Sequence, residues 1–344
     1  MAIDLNVYSK NDFRFAIAEE SSFGTAITAQ GSFKEILITD IPQIEWGGII
    51  RDEAKKSDGK RVFSHTDIYQ TTAGGTYTCS VSGILTDITV DLLLYGATQD
   101  LVSEGANSPY LKTFEIDGST DGDNSGVPYK FFTLNGYNPD TSEAWELKSC
   151  VLQNLTISAD PGTNGGRASF TATFFTGFPP TISGLTVTPA SWVTFGTDFY
   201  PFQTLNTKTI AANDVVLGSF SITIENGIVR VGYDSSGDPE QYFFPQFDVT
   251  GELSAKFDDN TAPEIDKWVL NPVDGSAESN IIVQWGDGTA DGTLKFDINA
   301  IYSGHSYDFG NESGVFVSLP FRGVDDGTNE ALEIKLANDT DRSW

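Results

Sequence analysis

Two cysteines, two histidines, one methionine and only 20 basic residues are a thin supply for 344 positions, and each shortage closes off a class of function. His65 and His305 fall in opposite halves of the chain, without metal-ligand spacing, so no zinc-type site is expected. Neither histidine accompanies a Ser or Cys in an elbow such as G-x-S-x-G, and no phosphate-cradling G-x-x-x-x-G-K-[ST] or G-x-G-x-x-G opens a helix. Carboxylates are so numerous that any two can be cast as an acid–base pair, which empties that pattern of information. The expectation is a protein that is not an enzyme and needs neither cofactor nor metal. Cys79 and Cys150 lie in apolar, strand-like runs and read as buried thiols, with a bridge between them left open. No run approaches 18 apolar residues, so no membrane-spanning helix is expected. The opening Met1-Ala2-Ile3-Asp4 lacks the basic and apolar regions of a signal peptide. With 48 acidic residues and a formal charge of −28, a sequestering grip on nucleic acid is excluded, because phosphates need Lys and Arg.

What the chain does have is aromatic and β-forming material. Its 24 Phe suffice for real cores despite the charge, and its 34 Gly with many short β-branched runs favour strands and turns. Phe13–Ala18, Thr76–Gly83, Phe220–Ile224 and Phe247–Phe257 alternate apolar with polar, the mark of half-buried strands. Ala144–Ala159 reads as one long strand or two joined by a kink, and further strands are expected at Ile281–Trp285, Thr293–Ile301, Gly314–Arg322 and Ala331–Leu336. Two short helices interrupt them. One is expected at about 87–95, from acid-flanked Asp87 to the stop at Gly96; the other at about 262–270, with Thr261 as N-cap and Pro263 in the first turn. The acidic, Gly-rich run Asp117–Gly126 resembles a calcium loop, but Phe132 stands where the closing Glu belongs, so it reads as a solvated turn.

Against this acidic background, five of the 20 basic residues fall within eleven positions: Arg51, Lys55, Lys56, Lys60 and Arg61. The segment is polar and without alternation, hence a solvated loop. Five charges in a chain at −28 give little net pull on a polyanion. An acidic protein surface, which another copy of the chain supplies, is the better partner. The loop is therefore expected to dock head-to-tail on a second copy, a heterologous contact able to propagate.

The two halves repeat an order of events: strands, an alternating strand, one short helix, then more strands. Cys79–Gly83 parallels Phe247–Gly251, and Phe174–Gly177 parallels Pro320–Gly323. The expected fold class is mainly β, a duplicated β-sandwich unit with one flanking helix each, over residues 1–180 and 214–344, joined by 181–213. Both halves are acidic, at −11 through Pro180 and −17 beyond it, so neither is a dedicated nucleic-acid module.

Several stretches, in order, are similar to the tail tube proteins of long-tailed bacteriophages and related archaeal viruses, in particular the double-unit kind. They are Ala18–Thr25, Ile41–Glu45 followed by the charged loop, Val249–Leu253, Gly314–Phe321 and Ala331–Asn338. The resemblance implies a structural virion protein made in the host cytoplasm, without cofactor. Its tail-tube-like β-sandwich or half-barrel units close, between neighbouring subunits, into a barrel around a channel. Stacked rings of six units would form the tube; two units per chain suggest trimers with pseudo-sixfold symmetry, and hexamers are the alternative. The implied partners are the chain itself, other tail proteins at the tube ends, and viral DNA passing through an acidic lumen without specific binding; no membrane is involved. Arg51, Lys55, Lys56, Lys60 and Arg61 then become an inter-ring contact loop. A baseplate or head-decoration protein and a β-sandwich adhesin or carbohydrate-binding module are the other readings.

Overall fold

The computed structural model describes residues 12–47, 50–53, 68–71, 75–99, 101–116, 130–139, 142–270, 278–309 and 314–340. The runs containing His65 and Asp117–Gly126, and Lys55, Lys56, Lys60 and Arg61 of the basic loop, lie outside the described residues. The chain is mainly β. In the first half come β1 (Arg14–Glu19), β2 (Lys34–Glu35), β3 (Gln43–Gly47), β4 (Ile50–Glu53), β5 (Ile68–Thr71), β6 (Thr76–Ile84), helix α1 (Asp87–Thr98), β7 (Ser103–Glu104), β8 (Tyr110–Ile116), β9 (Phe132–Asn138), β10 (Glu143–Ala159) and β11 (Ser169–Thr176). Then follow β12 (Leu205–Ile210), β13 (Asn213–Asp214), β14 (Leu217–Asn226), β15 (Val229–Val231), β16 (Gln241–Phe243), β17 (Phe247–Lys256), helix α2 (Ala262–Leu270), β18 (Ser279–Trp285), β19 (Thr293–Tyr302), β20 (Ser306–Asp308), β21 (Phe316–Gly323) and β22 (Leu332–Asn338). Nearly all the strands join one antiparallel network that closes on itself.

The pairing order occurs twice. In the first half it runs β1–β9–β10–β11–β6–β3, and in the second β12–β18–β19–β21–β17–β14. Individual backbone hydrogen bonds repeat with it. Leu85 N–H donates to Ala168 O as Phe257 N–H donates to Val315 O; Ile84 N–H donates to Leu37 O as Lys256 N–H donates to Val216 O; Ile36 N–H donates to Phe15 O as Val215 N–H donates to Lys208 O. This correspondence shifts the sequence likeness: Gly83 answers Ala255, and Gly251 answers Cys79. At Gly251 a Cβ would lie 2.4 Å from Ser221 O and 2.3 Å from the Phe321 ring, so the glycine serves close strand approach rather than marking the repeat.

α1 begins at Asp87 as expected, with the Thr86 hydroxyl accepting from Thr89 N–H at 3.3 Å. It runs on to Thr98, two residues past Gly96. That glycine sits inside the helix because a Cβ there would meet the Phe132 ring at 2.9 Å, and the stop is left-handed Gln99 at φ 59°. Before α2, the buried Thr261 hydroxyl does not cap forward; it accepts from Asp258 N–H at 2.9 Å and donates back to Lys256 O at 3.0 Å.

The connecting segment lies along the first half. Thr181 bridges Glu146, Val193 bridges Lys34, Phe199 bridges Thr86 and Pro201 bridges Arg167, after which the chain enters β12 of the repeated order. Trp192 seals this contact, buried against Phe33 with its Nε1–H donated to Gln30. The halves also share strands directly: β10 pairs with β14, and β8 with β22.

Candidate functional site: a hydroxyl-lined sheet with two open edges

One sheet crosses the whole molecule in the order β3–β6–β11–β10–β14–β17–β21–β20. Period-two alternation divides it cleanly. One face turns Val81, Phe170, Leu155, Ile157, Ile222, Leu253 and Leu319 into the core, each worth about 1.5–3 kcal/mol of burial. The other face is exposed or half-buried and carries short hydroxyls in ladders across the strands. Ser80 meets Thr173 at 3.3 Å, Ser82 meets Thr171 at 3.2 Å, and Thr156 meets Thr223 at 2.8 Å. Charges on this face are mostly negative: Glu45, Glu225, Asp248 and Glu252. Asn154 donates to Glu225 at 3.0 Å, Ser318 donates to Glu252, and Arg322 is held to Asp248 at 2.8 Å. The face is polar and acidic; among the described residues no group of three or more potential metal ligands forms on the molecule.

β10 pairs with β9 through its first part and with β11 and β14 through its second, and turns the corner between them at Lys148–Ser149, where the register slips and Ser149 takes φ 48°. The corner is pinned by Glu20, nearly buried, whose carboxylate accepts from Ser149 N–H at 2.7 Å, Ser149 Oγ at 2.8 Å and Thr133 Oγ1 at 2.7 Å. Burial pushes the Glu20 carboxyl up, against the pull of these hydrogen bonds and Lys148. Glu146 is raised by burial and then by the charge of Glu20; Asp87 by burial and then by Asp198 and Asp291; Asp291 by burial and then by Asp339. A carboxyl raised in the folded state favours folding in its protonated form. Its stabilising effect is complete below the unfolded value, near 4, and is lost as pH rises through the folded value. The urea midpoint is therefore expected to rise as pH is lowered from 7 toward 5, and Glu20→Gln to flatten that rise. Below about 4 the trend reverses, because backbone N–H groups hold exposed Asp287 and Asp326 under the usual carboxylate range.

Two hairpins occupy the same gap in the repeated order. β4–β5 is inserted between β3 and β6, and β15–β16 between β14 and β17. Arg51 stands in β4, opposite Gln70; it is the one residue of the basic loop's five whose backbone is described. The second hairpin has the opposite charge, with Asp234, Asp238 and Glu240 near its tip. It belongs to the second half yet is clamped on the first. Its buried Tyr242 accepts from Gly177 N–H at 2.8 Å and packs edge-on against Phe23 and Phe175, while Arg230 donates to Gly75 O at 2.6 Å. The three acidic residues border a cleft of about 370 Å³ together with Lys148 and Phe178, the Lys148 ammonium lying 4.4 Å from the Phe178 ring centre. Sequence reasoning missed this acidic counterpart. The signal was positional, a polar turn between the same two strands, and no residue likeness marks it.

Cys79 and Cys150 are buried and unbridged, and burial pushes the Cys79 thiol up to about 12. No described helix is long and apolar enough to cross a membrane.

A family model described as phage tail tube protein matches residues 11–323, which takes in both repeats of the strand order. Comparison with curated proteins finds no match.

Proposed function

We propose, from the premise that this chain belongs to the phage tail tube protein family, that its copies close into rings which stack into the tube, with the acidic, hydroxyl-lined sheet facing the channel. Membership makes the chain a structural component of the virion's tail. The observation that carries the finer reading is the eight-stranded sheet: one continuous surface, polar on its outer face, whose end strands β3 and β20 each pair on one side only among the described residues. Three copies would bring twenty-four strands. At about 4.8 Å per strand and a tilt of about 40°, they close a ring on the order of 50 Å across at the backbone, ample for a double helix. Six copies would double that width and leave the channel mostly empty, so the trimer is the better fit.

Such a face suits passage rather than binding. A duplex holds to proteins by exchanging counterions for Lys and Arg, and on these strands the one arginine is already paired with Asp248, while Lys256 stands at the far end of β17. Glu45, Glu225 and Glu252 repel phosphates, and the Ser and Thr hydroxyls keep the wall wetted without offering charge. Arg51, Lys55, Lys56, Lys60 and Arg61 are read as the contact from one ring to the next. In support, the acidic hairpin in the same gap of the second half already lies on a neighbouring repeat and faces a lysine.

Electron microscopy of the purified protein tests the reading. Hollow tubes with rings about 40 Å apart are expected, the height of a unit built on strands rising about 3.3 Å per residue. A chain that stays a compact monomer up to its solubility limit, and does not add to purified virion tails, overturns it.

A further inference from the structure

The seam between the halves inside one chain is a template for the seam between chains. β14 lies with one edge on β17 and its other edge on β10, in the register Asn154–Glu225, Leu155–Ile224, Thr156–Thr223, Ile157–Ile222 and Ser158–Ser221. By the correspondence of hydrogen bonds and pairings, Ser221–Glu225 of β14 answers Gln43–Gly47, which is β3. The same correspondence sets Asn154–Ser158 of β10 against Gly304–Asp308, the segment containing β20, because Phe170 pairs with Ile157 as Val317 pairs with Tyr307. Both answering segments are half-used. Among the described residues, β3 pairs with β6 alone and β20 with β21 alone.

The side chains report the same vacancy. Leu155, Ile157 and Ala159, which face the core beneath the internal seam, are 1%, 1% and 0% exposed. Of their counterparts, Tyr307 is 41% exposed and Phe309 76%. Phe257, which answers fully buried Leu85, is 38% exposed and stands edge-on to Tyr307 at 5.4 Å. A strand edge that pairs on one side only among the described residues, backed by exposed aromatic rings, invites strand addition, and a soluble protein protects such an edge unless it is used.

We infer that β3 of one copy adds to the β20 edge of the next, in the register Gly304–Gly47, His305–Trp46, Ser306–Glu45 and Tyr307–Ile44. The faces agree without adjustment. Ile44 lies on the core-facing side of β3, opposite Cys79, where it meets Tyr307; Glu45 lies on the polar side, where it meets Ser306. The occupant is a second copy of this chain because the same chain already makes this joint once, between its own halves. The contact is heterologous, and each copy offers one β3 and one β20 edge. Repetition of the internal step therefore closes a ring or winds a helix, never a twofold dimer.

This inference rests on the ring reading above, and the test separates the two. Cysteine pairs are placed by substitution, Ser306→Cys with Glu45→Cys and, separately, Tyr307→Cys with Ile44→Cys, since one of two adjacent antiparallel pairs has the closer side chains. Native Cys79 and Cys150 are buried and give little background. Mild oxidation of assembled protein should give covalent dimers and trimers on a non-reducing gel, with the ladder ending at three. The mismatched pair Tyr307→Cys with Glu45→Cys, on opposite faces, should give less than a tenth of that yield. Rings or tubes that form normally but cross-link no better than the mismatched control overturn the seam and leave the ring reading standing. Protein that stays monomeric in every condition overturns both. Ile44→Lys supplies the complement: a folded chain, with its far-ultraviolet circular dichroism unchanged, that no longer forms rings. Normal rings from that variant count against the seam.

Discussion

Reversing Lys55, Lys56 and Lys60 to glutamate should leave a folded chain and abolish tubes. The triple variant lowers the formal charge from −28 to about −34 and removes three of the five positive charges that gather at Arg51–Arg61. Folding should tolerate the change because the sequence of this segment is polar and without an apolar pattern, offering a core little to bury. Stacking does not tolerate it. Each copy is strongly acidic, and two acidic surfaces approach only where one presents opposite charge; like charges placed there cost several kcal/mol at each contact. The expected readout is loss of tubes in electron micrographs with rings still present in sedimentation. Reduced but measurable tube assembly of the parent protein at high salt should accompany it, since exposed ion pairs are screened beyond about 10 Å at 0.1 M. Loss of the rings themselves would move the contact inside the ring, to the place that the acidic hairpin occupies on the first half. Tubes of normal length from the triple variant would show that the loop is no contact at all.

Much of the fold was legible because half-buried strands announce themselves. The alternation at Thr76–Gly83 and Phe247–Phe257 is that of β6 and β17, and both helices start where expected, α1 with its Thr86 cap and α2 at Ala262 although Thr261 bonds backward instead of capping it. Alternation labels two faces but does not name a neighbour. Nothing in Leu217–Asn226 says that it will lie between β17 of its own half and β10 of the other, and that pairing is what turns two units into one sheet. The corner at Ser149 was foreshadowed as a kink, yet the reason for it, the buried Glu20 some 130 positions earlier, is a tertiary fact. Gly96 misled because a helix-stop residue and a residue chosen for close packing look alike until the Phe132 ring is in place.

The candidate surface was harder to read for the same reason. The basic cluster stood out as a local excess of charge, while its acidic counterpart at Asp234–Glu240 blended into an acidic chain. Only the shared position of the two hairpins, between corresponding strands, relates them. The open edge at β20 was hidden more deeply. Ser306-Tyr307-Asp308 is three residues long and reads as loop; its meaning appears once it is seen to continue β19 beside β21, as the second part of β10 continues beside β11.

The junction of β8 with the last strand should prove the most sensitive support of this surface. Lys112→Met is expected to lower the free energy of unfolding by about 3–5 kcal/mol, the cost of removing one partner from a buried ion pair. Lys112 is fully buried in β8. Its ammonium lies 3.3 Å from the Asp91 carboxylate of α1 and 3.8 Å from Glu104 of β7, and it donates to Asn338 Oδ1 at 2.8 Å and Thr340 O at 2.5 Å. One side chain thus ties the helix beneath the sheet, the first half's back strands and the end of β22. Replacing it with an apolar chain of similar length keeps the volume but takes the ammonium away from Asp91 and Glu104, in surroundings too dry to screen them. The loss is therefore electrostatic, which the double variant checks: adding Asp91→Leu to Lys112→Met should recover more than half of it in urea unfolding. If instead the single variant falls within 1 kcal/mol of the parent, the lysine does not carry a charge that the fold depends on. If the double variant is worse than the single, Asp91 is held chiefly by its helix and neighbours rather than by Lys112. Under the expected outcome, one buried cation on the back layer fixes the junction of the two halves, and the register of the sheet above it is set from behind.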